Sequence, residues 1–224
     1  WETPVQIWLS VGQLAALAGF TLYGWNLILS TRWKAIEQFF AGLPRMYIFH
    51  HLMGVIAFGL ILVHPLAIAA GYLAISTQAV INLILPDLSN IPLTLGKLAW
   101  FLTIGILILT IFVRIEYDRW KNIHKFMGAG FVLAGLHAFG IGSTIDASPI
   151  LKGYLLMVTL TGIAGWGYRS IFGRWLVPKK KYIVEKVEKL TEDVLEIYLK
   201  PAGQKINYVP GQFIFIQPMV RGVA

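Results

Sequence analysis

Of the 224 residues, 57% are hydrophobic and only 13% are charged, where a soluble domain carries about a quarter charged. Together with a mean hydropathy of +0.67, this excludes a water-soluble fold over most of the length and makes the formal charge of +8 a matter of membrane topology, not of nucleic-acid binding. Zero cysteines exclude disulfides, Cys-ligated iron–sulfur clusters, thiolate haem and c-type haem attachment, so any metal must be held by His, carboxylate or a bound cofactor.

A rise of 1.5 Å per residue across about 30 Å of hydrocarbon calls for some 20 apolar residues per crossing. Five stretches meet that length: 5–30, 46–73, 95–115, 123–142 and 151–172. The first has no Lys or Arg before Arg32, hence no basic flank of a cleaved signal peptide, and reads as a spanning helix. A start at Trp1 instead of Met makes an upstream segment an expectation.

Cations gather in alternate connections. Arg32, Lys34 and Arg45 lie between the first two stretches, Arg114, Arg119, Lys121 and Lys125 around the turn before the fourth, and Arg169, Arg174 and Lys179 to Lys181 after the fifth. The opposite loops hold only Lys97 and Lys152, beside Glu2, Asp87 and Asp146. The positive-inside rule then predicts Trp1 outside, the second and fourth helices running outward, and everything after Phe172 in the cytoplasm. The Lys179–Lys181 run is explained as a flank of the last span, with contact to anionic lipid as the other reading.

Beyond Pro178 the composition changes. Residues 182–188, 194–200 and 212–217 are predicted strands, short and β-branched, separated by the turn signals Pro201-Ala202-Gly203 and Pro210-Gly211. Three strands cannot build an independent core, so residues 178–224 read as the opening of a soluble β-rich domain behind a helical membrane domain at 1–177.

The five histidines all fall in two predicted spans: His50, His51 and His64 in the second, His124 and His137 in the fourth. A lone intramembrane imidazole is often an interhelical hydrogen bond, but two pairs at near-equal separation with almost no carboxylate at hand point to a site. Since both helices run outward, His50 is expected opposite His124 near the cytoplasmic face and His64 opposite His137 near the outer face. Fourteen residues along one helix separate the levels by about 21 Å. Two stacked bis-imidazole sites are what a two-haem electron wire requires, with both axial positions of each iron filled.

Helical phase favours His50 over His51. At about 100° per residue, His50 lies about 40° from eclipsing His64 and His51 about 140° away. His124 and His137 are thirteen apart, which demands a tilt, a locally altered turn or different approach directions in the fourth helix; Gly128, Gly130 and Gly135 permit it. Gly54 and Gly128, each four residues after a histidine, leave room for a flat macrocycle or for close helix packing. Pro65 is expected to bend its helix. Arg45, Arg114 and Lys125 are candidate contacts for haem propionates, although topology alone accounts for them. Gln13 and Asn26 are polar intramembrane residues with no assigned partner, and aromatics such as Trp25, Phe58, Trp100 and Phe131 read as packing or interfacial anchors.

The segments Leu43-Pro44-Arg45-Met46-Tyr47-Ile48-Phe49-His50-His51-Leu52-Met53-Gly54, Val63-His64-Pro65 and Trp120-Lys121-Asn122-Ile123-His124-Lys125-Phe126-Met127-Gly128, followed by His137, resemble the ferric reductase and NADPH oxidase superfamily. Tyr208-Val209-Pro210-Gly211-Gln212-Phe213 is similar to the start of a ferredoxin-reductase-type flavin domain. The resemblance implies a six-helix bundle holding two b-type haems on the third and fifth helices. The second and fourth helices here would take those places, with another helix before Trp1 and the native N-terminus in the cytoplasm. It implies electrons passing from NAD(P)H to FAD, then through the inner and outer haems to oxygen or ferric iron outside. An antiparallel β-barrel for the flavin domain follows from the same likeness. The Arg-x-Phe/Tyr-Ser/Thr segment that holds FAD should come after 212–217 and is absent before Ala224, so the chain is expected to carry haem but to bind FAD poorly or not at all.

Two other readings use the same histidines. One is a haem-bearing membrane subunit feeding a partner reductase, against which the β segment argues. The other is a transporter whose imidazoles shuttle protons or bind a metal ion, which predicts a colourless protein.

Overall fold

A computed structural model of the chain describes residues 3–85, 87–176 and 179–208, together with Ile216 and Met219. The chain divides into two units, Trp1–Gly173 and Arg174–Ala224.

The first unit is helical, and its helices start where polar caps meet apolar runs. Thr3 caps α1 (Pro4–Leu29) in a reciprocal capping box with Gln6, with Pro4 in the first turn. After the short helix α2 (Lys34–Phe39), α3 (Leu43–Leu73) begins behind Gly42, whose φ of 116° suits glycine. Ser76 caps the short α4 (Thr77–Ile84), Asn90 caps α5 (Ile91–Phe112), and Ser148 caps α9 (Pro149–Trp166). Between α5 and α9 lie α6 (Tyr117–His124), α7 (Met127–Ile141) and the single turn α8 (Ser143–Asp146). The last span ends in a π-helical turn at Gly167–Ile171, followed by α10 (Gly173–Leu176).

Four helical segments among the described residues are long and apolar enough to cross a membrane: Pro4–Leu29, Leu43–Leu73, Ile91–Phe112 and Pro149–Ile171. The span predicted at 123–142 is not one helix, so four of the five predicted stretches form single helices of spanning length. Its apolar part, α7, has fifteen residues and reaches about 22 Å, short of about 30 Å of hydrocarbon. At the junction with α6 the Phe126 and Gly128 amides bond to carbonyls three residues back, a tightened turn. Side chains from other helices hold this break: the Trp166 indole donates to the Lys125 carbonyl at 2.7 Å and the Tyr23 hydroxyl to the Met127 carbonyl at 2.6 Å.

Glycine and alanine let the helices close. A methyl group on Gly12 would sit 2.8 Å from Ile68 Cδ1, and one on Gly19 3.2 Å from Leu60 Cβ, so α1 lies directly along α3. The core gathers around Phe131, fully buried and stacked on Phe20 at 4.6 Å between ring centres, with Tyr23, Leu155 and Val158 around it. Apolar side chains such as Leu14, Ile48, Leu66 and Leu160 are exposed on the bundle's outside, as lipid contact requires. Pro65 lies inside α3 and cannot donate to the Ile61 carbonyl; the Trp100 indole donates there instead, at 3.2 Å. Lys97, buried in α5, donates its ammonium protons to the carbonyls of Asn82 and Leu85 at the end of α4.

In the second unit, β1 (Tyr182–Lys189) and β2 (Leu195–Pro201) form an antiparallel pair with Val187 opposite Ile197 and a bulge between Val184 and Lys186. The Ile206 amide donates to the Tyr182 hydroxyl at 2.7 Å, fastening the chain after β2 to the pair. Ile183, Leu195 and Ile197 are exposed. The third predicted strand, 212–217, lies outside the described residues apart from Ile216, so the described sheet is two-stranded.

Candidate functional site

The structure brings four of the five histidines together as two pairs. His50 of α3 and the last residue of α6, His124, lie with ring centres 6.5 Å apart; His64 of α3 and His137 of α7 lie 6.4 Å apart. The pairs follow the same chain order, so α3 and α7 run parallel, and the first pair sits at the end of the bundle that carries Arg32 and Lys125. His51 points to the exposed side of α3, whereas His50 is partly buried.

The break after His124 relieves part of the mismatch in the thirteen-residue spacing. On a continuous helix His124 and His137 would point about 140° apart. Each residue wound three to the turn adds about 20°, so the tightened turn at Lys125–Phe126 rotates His137 back toward the phase of His124.

The two pairs are held differently. At the far end, His64 Nδ1 lies 2.9 Å from the Gly12 carbonyl and His137 Nδ1 2.9 Å from the Pro92 carbonyl. A carbonyl only accepts, so each Nδ1 carries the proton and each Nε2 keeps its lone pair. Gly96 makes this possible for His137, because a methyl group there would fall within 2.5 Å to 2.8 Å of the imidazole atoms. At the basic end the rings are fixed by aromatic contact. Trp120 stacks on His124 at 5.2 Å and 24°, and Tyr47 meets His50 edge-on at 6.4 Å. Nδ1 of His50 and of His124 are buried without a hydrogen-bond partner, as is Asn26 Oδ1, whose side chain lies against Gly54.

Of the cations proposed from sequence for propionate contact, Arg45 and Arg114 are exposed, and Lys125 is half-buried with its ammonium 2.9 Å from Asn122 Oδ1. The structure adds Arg32, whose guanidinium lies 5.3 Å from the ring centre of Tyr47, the residue that meets His50 edge-on. Gly128, read as room for a macrocycle or for close packing, serves packing: the Trp166 indole occupies the place its side chain would take.

Tyr47 and Trp120 precede their histidines by three and four residues, a helical spacing that puts them on the same face, so that signal was available in the sequence. The Gly12 and Pro92 carbonyls are main-chain atoms of other helices and leave no sequence signal.

The donor set fits haem. Two imidazole nitrogens on opposite sides of one metal, each bond about 2 Å and each ring centre about 1 Å further, give ring centres about 6 Å apart. Among the described residues no group of three or more His, Asp or Glu gathers as a bare cation would need. Two neutral opposed ligands and no carboxylate suit a metal whose other positions are filled by a macrocycle.

Residues 15–135 match the family described as ferric reductase like transmembrane component. No curated protein matches the chain.

Proposed function

Because the chain belongs to the family of ferric reductase-like transmembrane components, a family of membrane oxidoreductases, we propose that it moves single electrons outward across a membrane through two b-type haems. His50 and His124 hold the haem nearer the cytoplasmic face, and His64 and His137 the outer one. NAD(P)H is the electron source by way of FAD, whose sites the resemblance implies but the sequence largely lacks, and oxygen or ferric iron is the acceptor. The observation that carries this reading is the geometry of the pairs: two sets of opposed imidazoles, 6.5 Å and 6.4 Å between ring centres, repeated on the same two stretches of chain.

Bound haem supplies reversible one-electron chemistry; the chain supplies placement, insulation and ligand tuning. Backbone acceptors fix His64 and His137 in one tautomer with the lone pair free for a metal. Tyr47 and Trp120 hold the other two rings without competing for their nitrogens. Phe20, Phe131, Leu155 and Val158 keep the space between the two levels dry. The sidedness comes from the cations: Arg32, Lys34, Arg45, Arg114, Arg119, Lys121 and Lys125 flank the His50 end.

A reduced-minus-oxidised spectrum of the purified protein tests the reading. Bands of six-coordinate haem b are expected, with two haems per chain. His50→Ala or His124→Ala removes one haem and His64→Ala or His137→Ala the other, while His51→Ala keeps both. A colourless protein, or loss of haem on replacing His51 but not His50, sinks the assignment.

A further inference from the structure

At the end of the bundle that carries His50, two guanidiniums from distant stretches of chain converge. Arg32 follows α1 and leans on Tyr47, with its guanidinium carbon 5.3 Å from the ring centre. Arg169 comes from the π-helical turn that closes the last span. The titratable groups close to Arg169 are Arg32, Tyr47 and Tyr168, and those close to Tyr47 include both arginines. Trp33 meets Tyr168 edge-on at 6.0 Å, and a methyl group on Gly165 would fall 2.9 Å from Thr31 Cγ2, so the ends of α1 and α9 pack directly together.

Each arginine is presented by irregular backbone. Arg32 has a φ of 57°, in the left-handed region that a residue with a Cβ occupies only where its surroundings fix it. Arg169 stands in a widened turn, a local change of winding common at functional sites. Both side chains are only partly exposed, so their like charges repel through surroundings drier than water. The ion pairs among the described residues join Glu116 to Arg119, Asp146 to Lys152 and Glu188 to Lys186, and none brings a carboxylate to Arg169. The positive-inside rule accounts for cations at this end but not for two of them gathered around one tyrosine.

An anion between them removes the repulsion, and the planar guanidinium fork matches the oxygens of a phosphate. We propose that Arg32 and Arg169 together bind one phosphate group, that of an anionic phospholipid in the leaflet at this end of the bundle. Arg169 lies in the last turn of the apolar segment Pro149–Ile171, at the depth of lipid headgroups. A dissolved ion would have to leave water to reach it, whereas a lipid phosphate is already there. Exposed Trp33 and Tyr47 flank the pair, and both residue types settle at the headgroup level. The site asks nothing of the haems, so it stands or falls separately from the functional reading above.

Native mass spectrometry of the chain in mixed micelles of phosphatidylcholine and phosphatidylglycerol tests the site. One retained phosphatidylglycerol per chain is expected, in preference to phosphatidylcholine. Arg169→Gln and Arg32→Gln should each weaken that binding about tenfold or more, the worth of one charge-assisted contact. Arg119→Gln, which removes an exposed cation near the same end, should leave it unchanged. Equal retention of the two lipids, or the same loss in all three variants, overturns the proposal. So does inorganic phosphate retained on the chain in phosphatidylcholine alone, which would make the ligand a dissolved ion. Haem lost from Arg32→Gln or Arg169→Gln with the lipid still held overturns it too, assigning the arginines to a haem propionate. Should both variants fail to fold, the preference between the two lipids on the unaltered chain, set beside that of Arg119→Gln, decides.

Discussion

Pro65 shows how one residue in a spanning helix creates a need that another helix fills. Having no amide proton, it leaves the Ile61 carbonyl without its helical donor, in surroundings where water cannot replace it. The Trp100 indole fills that vacancy at 3.2 Å. Trp100→Phe keeps most of the packing and removes the donor, and is expected to cost about 1 kcal/mol, within the range for hydrogen bonds inside membranes. Pro65→Ala restores the helical donor, so in its background Trp100→Phe should cost less. A double-mutant cycle on unfolding in detergent measures this coupling, and additive losses would mean that the indole acts through packing alone. The identity of the paired imidazoles was legible in the sequence because polar residues are so scarce in these spans that each stands out. The role of Trp100 was not, since an indole in a membrane helix looks the same whether its N–H is used or idle.

At the scale of elements, the long helices follow from the length of apolar run and from caps at Thr3, Asn90 and Ser148, all readable along the chain. A tilt or altered turn in 123–142 was among the readings of the thirteen-residue spacing, but the place where it divides into α6 and α7 was not readable. An averaging window passes over a single Lys in apolar surroundings, and the groups that stabilise the break, Tyr23 and Trp166, come from distant segments. This turn lies between His124 and His137, so inserting one alanine between Lys125 and Phe126 rotates the following helix by about 100°. Haem content is then expected to fall from two per chain to one while helical circular dichroism persists. Retention of both haems would show that the turn absorbs the insertion and that helical phase does not position the pair.

At the scale of the whole molecule, the cations of the first unit gather at one end of the bundle, where Arg32, Lys34, Arg45, Arg114, Arg119, Lys121 and Lys125 lie. The cysteine-free sequence makes the resulting sidedness simple to test, because a single introduced thiol has no background. Ser89→Cys is expected to react with a membrane-impermeant maleimide in intact cells and Lys180→Cys only after permeabilisation; the opposite pattern would invert the assignment of inner and outer haems. The carbonyls that hold His64 and His137 come from α1 and α5, so the outer site draws on four helices. The inner pair draws its histidines and their aromatic ring contacts among the described residues from α3 and α6. On the two-haem reading proposed above, the outer site is complete only when four helices are in place, so its occupancy would serve as a gauge of a fully formed membrane domain.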